Sequence, residues 1–556
     1  MSFSWQTRAQ SLAQMKAGTF DVLIIGGGIT GAGLALDAVT RGLKTALIEK
    51  RDFAAGTSSR STKLIHGGLR YLEHYDFALV REGLRERAEL LKLAPHLAEA
   101  FPFVIPIYQD RRRNYDHPLL VRAGLFLYDL LAGKYNIQRH RRISREEALE
   151  LAPQLDPRGL KGALVYYDGR TNDARLVIEI LKSAHAYGAS IANYIRLSSF
   201  LKDAQGKITG AQLHDELTGE QFDVAARTVI NATGVWMNEV RSLSADLSED
   251  DKQLRPSKGI HLIVSAERLQ VTTAWLIPAL GEKRFYFVVP WEGRVNIGTT
   301  DTDYQGSKDA PGAFASEATQ ILQAVNAYFP TAQLELSDVI SAWAGLRPLI
   351  SSGNTKQSTA AVSRKEEIFA DEDGLISLAG GKLTTYRLMA ERGIVLAAEQ
   401  LRERFGRSTK KSRTTDLVIG GGLLKHHEIE ARAQQVAQTE NLPLVTALHL
   451  LHSYGTDYEH ILALMREDES LREPLLPDLP NVAAEVIYAV RHELALTIAD
   501  VLTRRTRIAM LGAALDCAGK VAELMARELG WEEEQKTQQM TAFKVEYERE
   551  YLVHSR

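Results

Sequence analysis

The spacing of apolar positions changes character several times along the chain. Phe20-Asp21-Val22-Leu23-Ile24-Ile25 is a short, almost unbroken apolar run, and Thr45-Ala46-Leu47-Ile48 is a second. Runs of that length suit strands buried on both faces of a parallel sheet, and the Ala- and Leu-rich stretch between them suits a crossover helix. Residues 160–235 read as alternating strands with a helix over 173–188 and hairpin turns near Gly206 and Gly219. They close on a strand, Thr228 to Ala232, that runs into Gly234. Residues 255–301 have an antiparallel texture: 259–264, 284–291, a Glu292-Gly293 turn, then 294–300. A further strand is predicted over 374–378, leading into a helix, and Gly345-Leu346-Arg347-Pro348 reads as a turn.

Helical periodicity marks four other regions. Over residues 4–18, Trp5, Ala9, Leu12 and Met15 share one face, with Ser4 as the cap. A charged helix is predicted over 76–93. Residues 119–131 carry a wide apolar stripe, flanked by Arg111, Arg112 and Arg113 before it and Arg139, Arg141 and Arg142 after it. That pattern fits a helix packed on the body first, with one lying in an anionic headgroup layer as the alternative. Past residue 400 strand signals nearly vanish. Arg402 to Thr415 reads as a linker, and 416–556 as an all-helical domain, with Val482, Val486, Val490 and Leu494 as one stripe and a basic turn over 503–507.

The first apolar run ends in Gly26-Gly27-Gly28-Ile29-Thr30-Gly31, a GxGxxG turn between strand and helix. Gly26 permits the tight turn, Gly28 lets backbone approach a pyrophosphate, and Gly31 lets helix and strand pack closely. Glu49 ends the second strand, where a carboxylate binds ribose hydroxyls. The unit recognises ADP, so FAD and NAD both remain open at this step. A second Gly-rich helix start, Gly380-Gly381-Lys382-Leu383-Thr384, follows the strand over 374–378. In Lys63 to Tyr75, adjacent Gly67 and Gly68 suggest close approach to a flat ligand, or an ordinary loop entering the next helix.

Length and charge narrow the class. A chain of 556 residues holds more than one domain. A net charge of −3 gives no reason to expect nucleic acid. Cys517 is the sole cysteine, so no intramolecular disulfide forms and a reducing compartment is expected. Neither a signal-peptide core nor a stretch of transmembrane length is present in the sequence, and no His, Cys and carboxylate spacing suggests a metal.

Together these stretches resemble the FAD-dependent glycerol-3-phosphate dehydrogenases that feed electrons to quinone. The resemblance rests on residues 22–49, Ser58-Ser59 through Tyr75, Trp343 to Leu349, Gly380 to Arg387, Val490 to Glu493 and Arg504 to Arg507. It implies an α/β (overall α+β) architecture: a Rossmann-like FAD domain of the glutathione reductase and D-amino-acid oxidase kind (1–110, 160–250, 345–401), and an inserted antiparallel substrate domain (111–159, 251–344). The linker (402–415) and helical domain (416–556) complete it. It also implies FAD, sn-glycerol 3-phosphate as substrate, a quinone acceptor, and peripheral attachment to the cytoplasmic face of the membrane. A homodimer is among the assemblies it allows.

The resemblance also assigns residues. His261 matches the proton acceptor and Arg347 an active-site arginine. Arg70 and Tyr71 match substrate contacts, and Lys258 and Lys382 add positive charge. Ser58, Ser59, Lys63, Leu64, His66 and Gly234 would line the cofactor, together with Gly380, Gly381, Leu383 and Thr384. The oxygen-using glycerophosphate oxidases share these motifs but usually carry a central insertion, and none is evident here. An amine or amino-acid oxidase of the same fold, and a flavin-bound sensor without turnover, are the other readings.

Overall fold

The computed structural model describes residues 2–246, 253–282, 284–351 and 366–555. The predicted βαβ unit lies at the centre of an eight-stranded sheet. Thr19–Ile25 runs parallel to Thr45–Ile48 on one side and to Gln221–Asn231 on the other, so that Ile24 lies between Leu47 and Ile230. Ser190–Ala192 and Ile376–Ala379 extend the parallel core, while Glu367–Ala370 and the hairpin Ile195–Lys202/Ile208–Asp215 add antiparallel edges. Asp21 interrupts the apolar run without penalty because its buried carboxylate accepts from the Lys44 N–H at 2.9 Å and from Arg227 at 2.5 Å. Helices Ile29–Thr40, Asp173–Ala186 and Tyr386–Phe405 share one core with this sheet, built from residues such as Leu34, Ile178 and Ile394.

A second sheet of ten strands stands beside the first. Gln253–Ser265 is its spine, paired with Val339–Ser351 on one side and Arg294–Gly298 on the other. The Glu292-Gly293 turn joins Phe285–Trp291 to Arg294–Gly298, and both turn residues have positive φ, 50° and 72°. Several strands fall differently from the sequence division. Leu64–Ile65 and residues 345–351, placed with the FAD domain, lie in the second sheet. Ala98–Tyr108 and Leu160–Thr171, placed there too, pair with each other in the same sheet. Their hydrogen-bond partners are more than fifty residues apart in sequence, so local pattern carries no trace of the choice.

Three further expectations are corrected in detail. Trp5–Ala17 is a helix, but its buried side chains are Arg8, Ser11, Leu12 and Met15, and Trp5 is exposed. Arg8 turns it, by pairing bidentately with Asp215 at 2.8 and 3.1 Å. The Ser4 hydroxyl has no partner; Thr7 accepts from the Ser4 N–H instead. The basic turn at 503–507 is a buried interdomain joint. Arg505 places both terminal nitrogens on Asp52, at 2.6 and 2.9 Å, and Arg504 binds the same carboxylate. These cations hold the Asp52 carboxyl down to about 2 against its burial. Arg175 reinforces the joint through Glu493 and the Ser453 carbonyl. Linker residues 406–415 pack on the nucleotide domain: Lys410 N–H donates to the Arg41 carbonyl and the Ser412 hydroxyl to Asp37. The C-terminal region is helical as expected, apart from Val553–His554, which pairs with Ala313–Phe314 of the substrate side.

Candidate active site

The nucleotide end is a cradle of backbone. Gly26 has φ +113°, and a Cβ there would lie 2.6 Å from the Ala232 carbonyl oxygen. At Gly31 a Cβ would stand 1.8 Å from the Gly26 oxygen, so helix and strand touch only because the side chain is absent. Gly28 starts the helix, and the Ile29 N–H behind it donates to Ser58 Oγ at 2.9 Å. Glu49 is oriented by the Gly27 N–H at 2.7 Å and the Arg51 N–H at 3.0 Å. Burial raises its pKa. A helix start beside an oriented carboxylate suits a pyrophosphate and its ribose, the N–H groups donating to the one and the carboxylate accepting from the other.

A cavity of about 500 Å³ opens where the two sheets meet. It gathers Leu64, His66, Arg70 and Tyr71 from one stretch, His261 and Arg347 from the second sheet, and Gly380 to Thr384 from the second Gly-rich turn. Gly380 and Gly381 both take left-handed φ, 76° and 75°. The Thr384 hydroxyl accepts from the His66 N–H at 3.1 Å, tying the two Gly-containing stretches together. Lys382 Nζ lies 3.8 Å from the centre of the Tyr71 ring. The room and the paired Gly turns fit a flat ring system whose pyrophosphate reaches the Gly26–Gly31 cradle.

Gly67 and Gly68 answer mainly to the chain itself. A Cβ on Gly67 would meet Leu84 and the Tyr128 hydroxyl at 2.6 Å, and one on Gly68 the Tyr71 ring at 2.3 Å. The Tyr128 hydroxyl accepts from the Gly67 N–H at 2.9 Å and donates to Asp168, which Arg87 holds at 2.7 Å. This buried network fixes the turn that presents Arg70 and Tyr71.

His261 is 2% exposed, stacked on Trp343 at 5.2 Å, with Nε2 3.0 Å from the Thr62 hydroxyl and Nδ1 without a partner. Burial, then the Arg347 and Lys63 charges, push its pKa well below the ordinary value, so the ring is held neutral. Arg347 donates to Thr299 Oγ1 and the Thr300 carbonyl, both at 3.2 Å. From the adjoining wall Arg284 donates to the Thr299 carbonyl at 3.3 Å and to Tyr286 at 2.9 Å. Two guanidiniums therefore flank Thr299.

Not every expected residue reaches this cavity. Lys258 lies on the opposite face of the strand from Gly259 and His261, paired with Glu317 at 2.7 Å, so its charge is spent away from the site. Lys63 is buried against Asp173 at 2.6 Å and stands 5.4 Å from the rings of Trp291 and Trp343. Ser59 is buried, with its carbonyl accepting from Lys63. Gly234 has φ +59° outside the cavity. Conversely, Arg284, Thr299 and Tyr128 are brought to the site or its support, and no local motif announces them.

The chain is similar to several known proteins. The family model "FAD dependent oxidoreductase" matches residues 21–387, and that of the "C-terminal domain of alpha-glycerophosphate oxidase" matches 412–536. An alpha-glycerophosphate oxidase of Streptococcus pneumoniae is 37% identical, over 96% of this chain and 96% of its own length. The mitochondrial glycerol-3-phosphate dehydrogenase of Macaca fascicularis is 39% identical, over 96% of this chain and 74% of its own. Among solved structures, the Bacillus halodurans glycerol-3-phosphate dehydrogenase complexed with FAD superposes with a TM-score of 0.81 at 33% identity, covering 99% of this chain and 98% of that one. The chain belongs to the FAD-dependent oxidoreductases and carries the C-terminal domain of the alpha-glycerophosphate oxidases.

Proposed function

We propose that the enzyme oxidises sn-glycerol 3-phosphate to dihydroxyacetone phosphate at FAD and passes the electrons to a quinone. The observation that carries this reading is the joint placement of His261, Arg347 and Arg284 on one cavity beside the Gly380–Thr384 turn. Gly26, Gly28, Ile29, Ser58 and Glu49 would hold the dinucleotide, and His66 and Gly380 to Thr384 would line the ring. Bound FAD supplies the acceptor for the hydride of C2. The protein must then take the hydroxyl proton, and neutral His261, on the cavity wall with Nε2 beside the Thr62 hydroxyl, is the group placed to do so. Arg347 and Arg284 present planar forks that suit a phosphate or an incipient alkoxide. Arg70 and Lys382 add charge on the other wall. A dianionic substrate brought against these cations offsets the field that lowers the His261 pKa, so basicity rises on binding.

Two observations favour quinone over oxygen. The Streptococcus pneumoniae alignment runs over 595 positions yet takes in 96% of a 556-residue chain, so that oxidase has some extra sequence here lacking. Helix Pro118–Ala132 buries only Leu125, Tyr128 and Ala132 and leaves Leu119, Leu120, Phe126 and Leu130 60–68% exposed. An apolar face of that size marks an interaction surface, and a lipid surface is where a quinone resides. Through Tyr128 the same helix props the Gly67 turn. None of the described helices is long and apolar enough to cross a membrane. Of the flanking arginines, Arg113 is engaged by Asp156, Arg141 by Glu147 and Arg142 by the Lys161 carbonyl, which leaves Arg111, Arg112 and Arg139 on the exposed side. On this reading the attachment is to the cytoplasmic face of the membrane.

Turnover of glycerol 3-phosphate against glycine and sarcosine with a soluble dye tests the substrate. Quinone-loaded anionic vesicles against dissolved oxygen test the acceptor. Changing Leu119, Phe126 and Leu130 to Ser should abolish vesicle binding and quinone reduction while dye-linked turnover persists. Unchanged vesicle binding assigns the helix another role, and faster oxygen consumption than quinone reduction makes the enzyme an oxidase.

A further inference from the structure

A second cavity, about 440 Å³, lies between the helical domain and the back of the substrate sheet. Its walls hold Arg170, Arg294, Arg507, Thr171, Asn172 and His96. Each guanidinium leans on one acid. Arg507 meets Glu292 at 2.7 Å, Arg170 meets Glu99, and Arg294 reaches the exposed Asp478 only at 3.6 Å. What the protein leaves unmet is nearly all donor. The Nε atoms of Arg294 and Arg507, Asn172 Nδ2, Thr171 Oγ1 and both ring nitrogens of His96 are buried without a protein partner. Buried donors left unpaired are costly, and such clusters persist where an acceptor is brought to them.

We propose that this interdomain cavity binds a small oxyanion, a phosphate monoester or carboxylate with a short polar body, and that the helical domain serves to close it. An anion in the cavity meets the guanidiniums of Arg170, Arg294 and Arg507, each held by a single acid, and guanidiniums bind oxyanions through paired N–H groups. The size admits a ligand of several heavy atoms rather than a lone ion. A row of neighbouring rings joins this cavity to the first site. Arg507 stands over Trp291, whose ring lies 6.4 Å from Trp343, the residue stacked on His261. Occupancy is thus readable in tryptophan emission and lies two rings from the catalytic histidine.

The test is calorimetric titration of the FAD-loaded enzyme with inorganic phosphate, against chloride at matched ionic strength, with emission followed in parallel. Two phosphate sites per chain are expected. Arg347→Gln removes one. Arg294→Gln weakens the other at least about tenfold and removes the emission change, while Thr171→Val, which alters no charge, weakens it severalfold. Citrate and a polyol phosphate, titrated separately, tell a carboxylate ligand from a phosphate one. A single site that disappears with Arg347→Gln, a second site indifferent to Arg294→Gln, or equal heat from chloride overturns the proposal and leaves the cavity to water. Loss of a site in Arg294→Gln but none in Arg347→Gln would instead count against the active-site reading and leave this one standing.

Discussion

Gly31→Ala isolates the geometric argument for the cofactor. The added methyl would stand 1.8 Å from the Gly26 carbonyl oxygen, whereas such contacts are seldom closer than about 3.0 Å. The obstacle is backbone, so it cannot rotate aside. Helix Ile29–Thr40 must therefore retreat from Thr19–Ile25 by about 1 Å, taking with it the N–H groups that face the pyrophosphate. Overpacking of that kind costs about 1–3 kcal/mol of stability. Losing about 3 kcal/mol from pyrophosphate binding corresponds to roughly a hundredfold in affinity. Two controls calibrate the effect. Gly33→Ala meets the Tyr386 ring at 2.9 Å and the Ala390 methyl at 3.0 Å, side-chain atoms that yield by a few tenths of an ångström. Gly124→Ala meets nothing within 4 Å and should gain about 1 kcal/mol of helix propensity. The assay is FAD titration of the apoprotein by flavin fluorescence, with thermal unfolding alongside. The expected order of FAD affinity is Gly124→Ala equal to wild type, Gly33→Ala slightly weaker, Gly31→Ala weakest by far. FAD affinity within threefold of wild type in Gly31→Ala would refute the cradle.

Other outcomes follow from the same structure. Arg347→Lys keeps the charge but not the fork held by Thr299 and Thr300; dye-linked kcat/KM should fall by about tenfold or more, and unchanged kinetics would remove Arg347 from the site. His261→Asn should slow anaerobic flavin reduction by roughly 10²–10⁴-fold, measured by stopped flow, and a wild-type rate would place the base elsewhere. Acid should destabilise the fold through His96, whose pKa burial lowers to about 3. A group with a lowered folded pKa binds its proton first in the unfolded state, so stability is lost as pH falls below the ordinary histidine value of about 6.5. Two pH units below it the loss is about 3 kcal/mol, which His96→Gln should largely remove in denaturant titrations at pH 7 and 4.5. An unaltered pH slope in that variant would show that His96 is not held neutral.

The nucleotide unit was legible because its signals are local. Strand length, the glycine spacing and Glu49 all fall within thirty residues; the strand forms, and Gly26 and Gly31 make the tight turn and the close helix–strand approach expected of them. The antiparallel texture around His261 was legible for the same reason. What was hidden depends on partners far along the chain. Trp5 is turned outward by an ion pair between Arg8 and Asp215. The basic residues at 504 and 505 are buried because Asp52 waits for them. Arg284 looks like the edge of a strand until register sets it beside Thr299. Lys258 is different: three positions from His261 on a strand, it had to face the other way, and strand periodicity alone carries that conclusion.

The central claim meets its most direct test when the purified, FAD-loaded enzyme is mixed anaerobically with sn-glycerol 3-phosphate and its visible flavin band is followed. Bleaching by glycerol 3-phosphate is expected, with none by glycine or sarcosine, and dihydroxyacetone phosphate in amounts equal to the flavin reduced. A flavin band that stays oxidised with glycerol 3-phosphate, or one that bleaches with the amines instead, would contradict it.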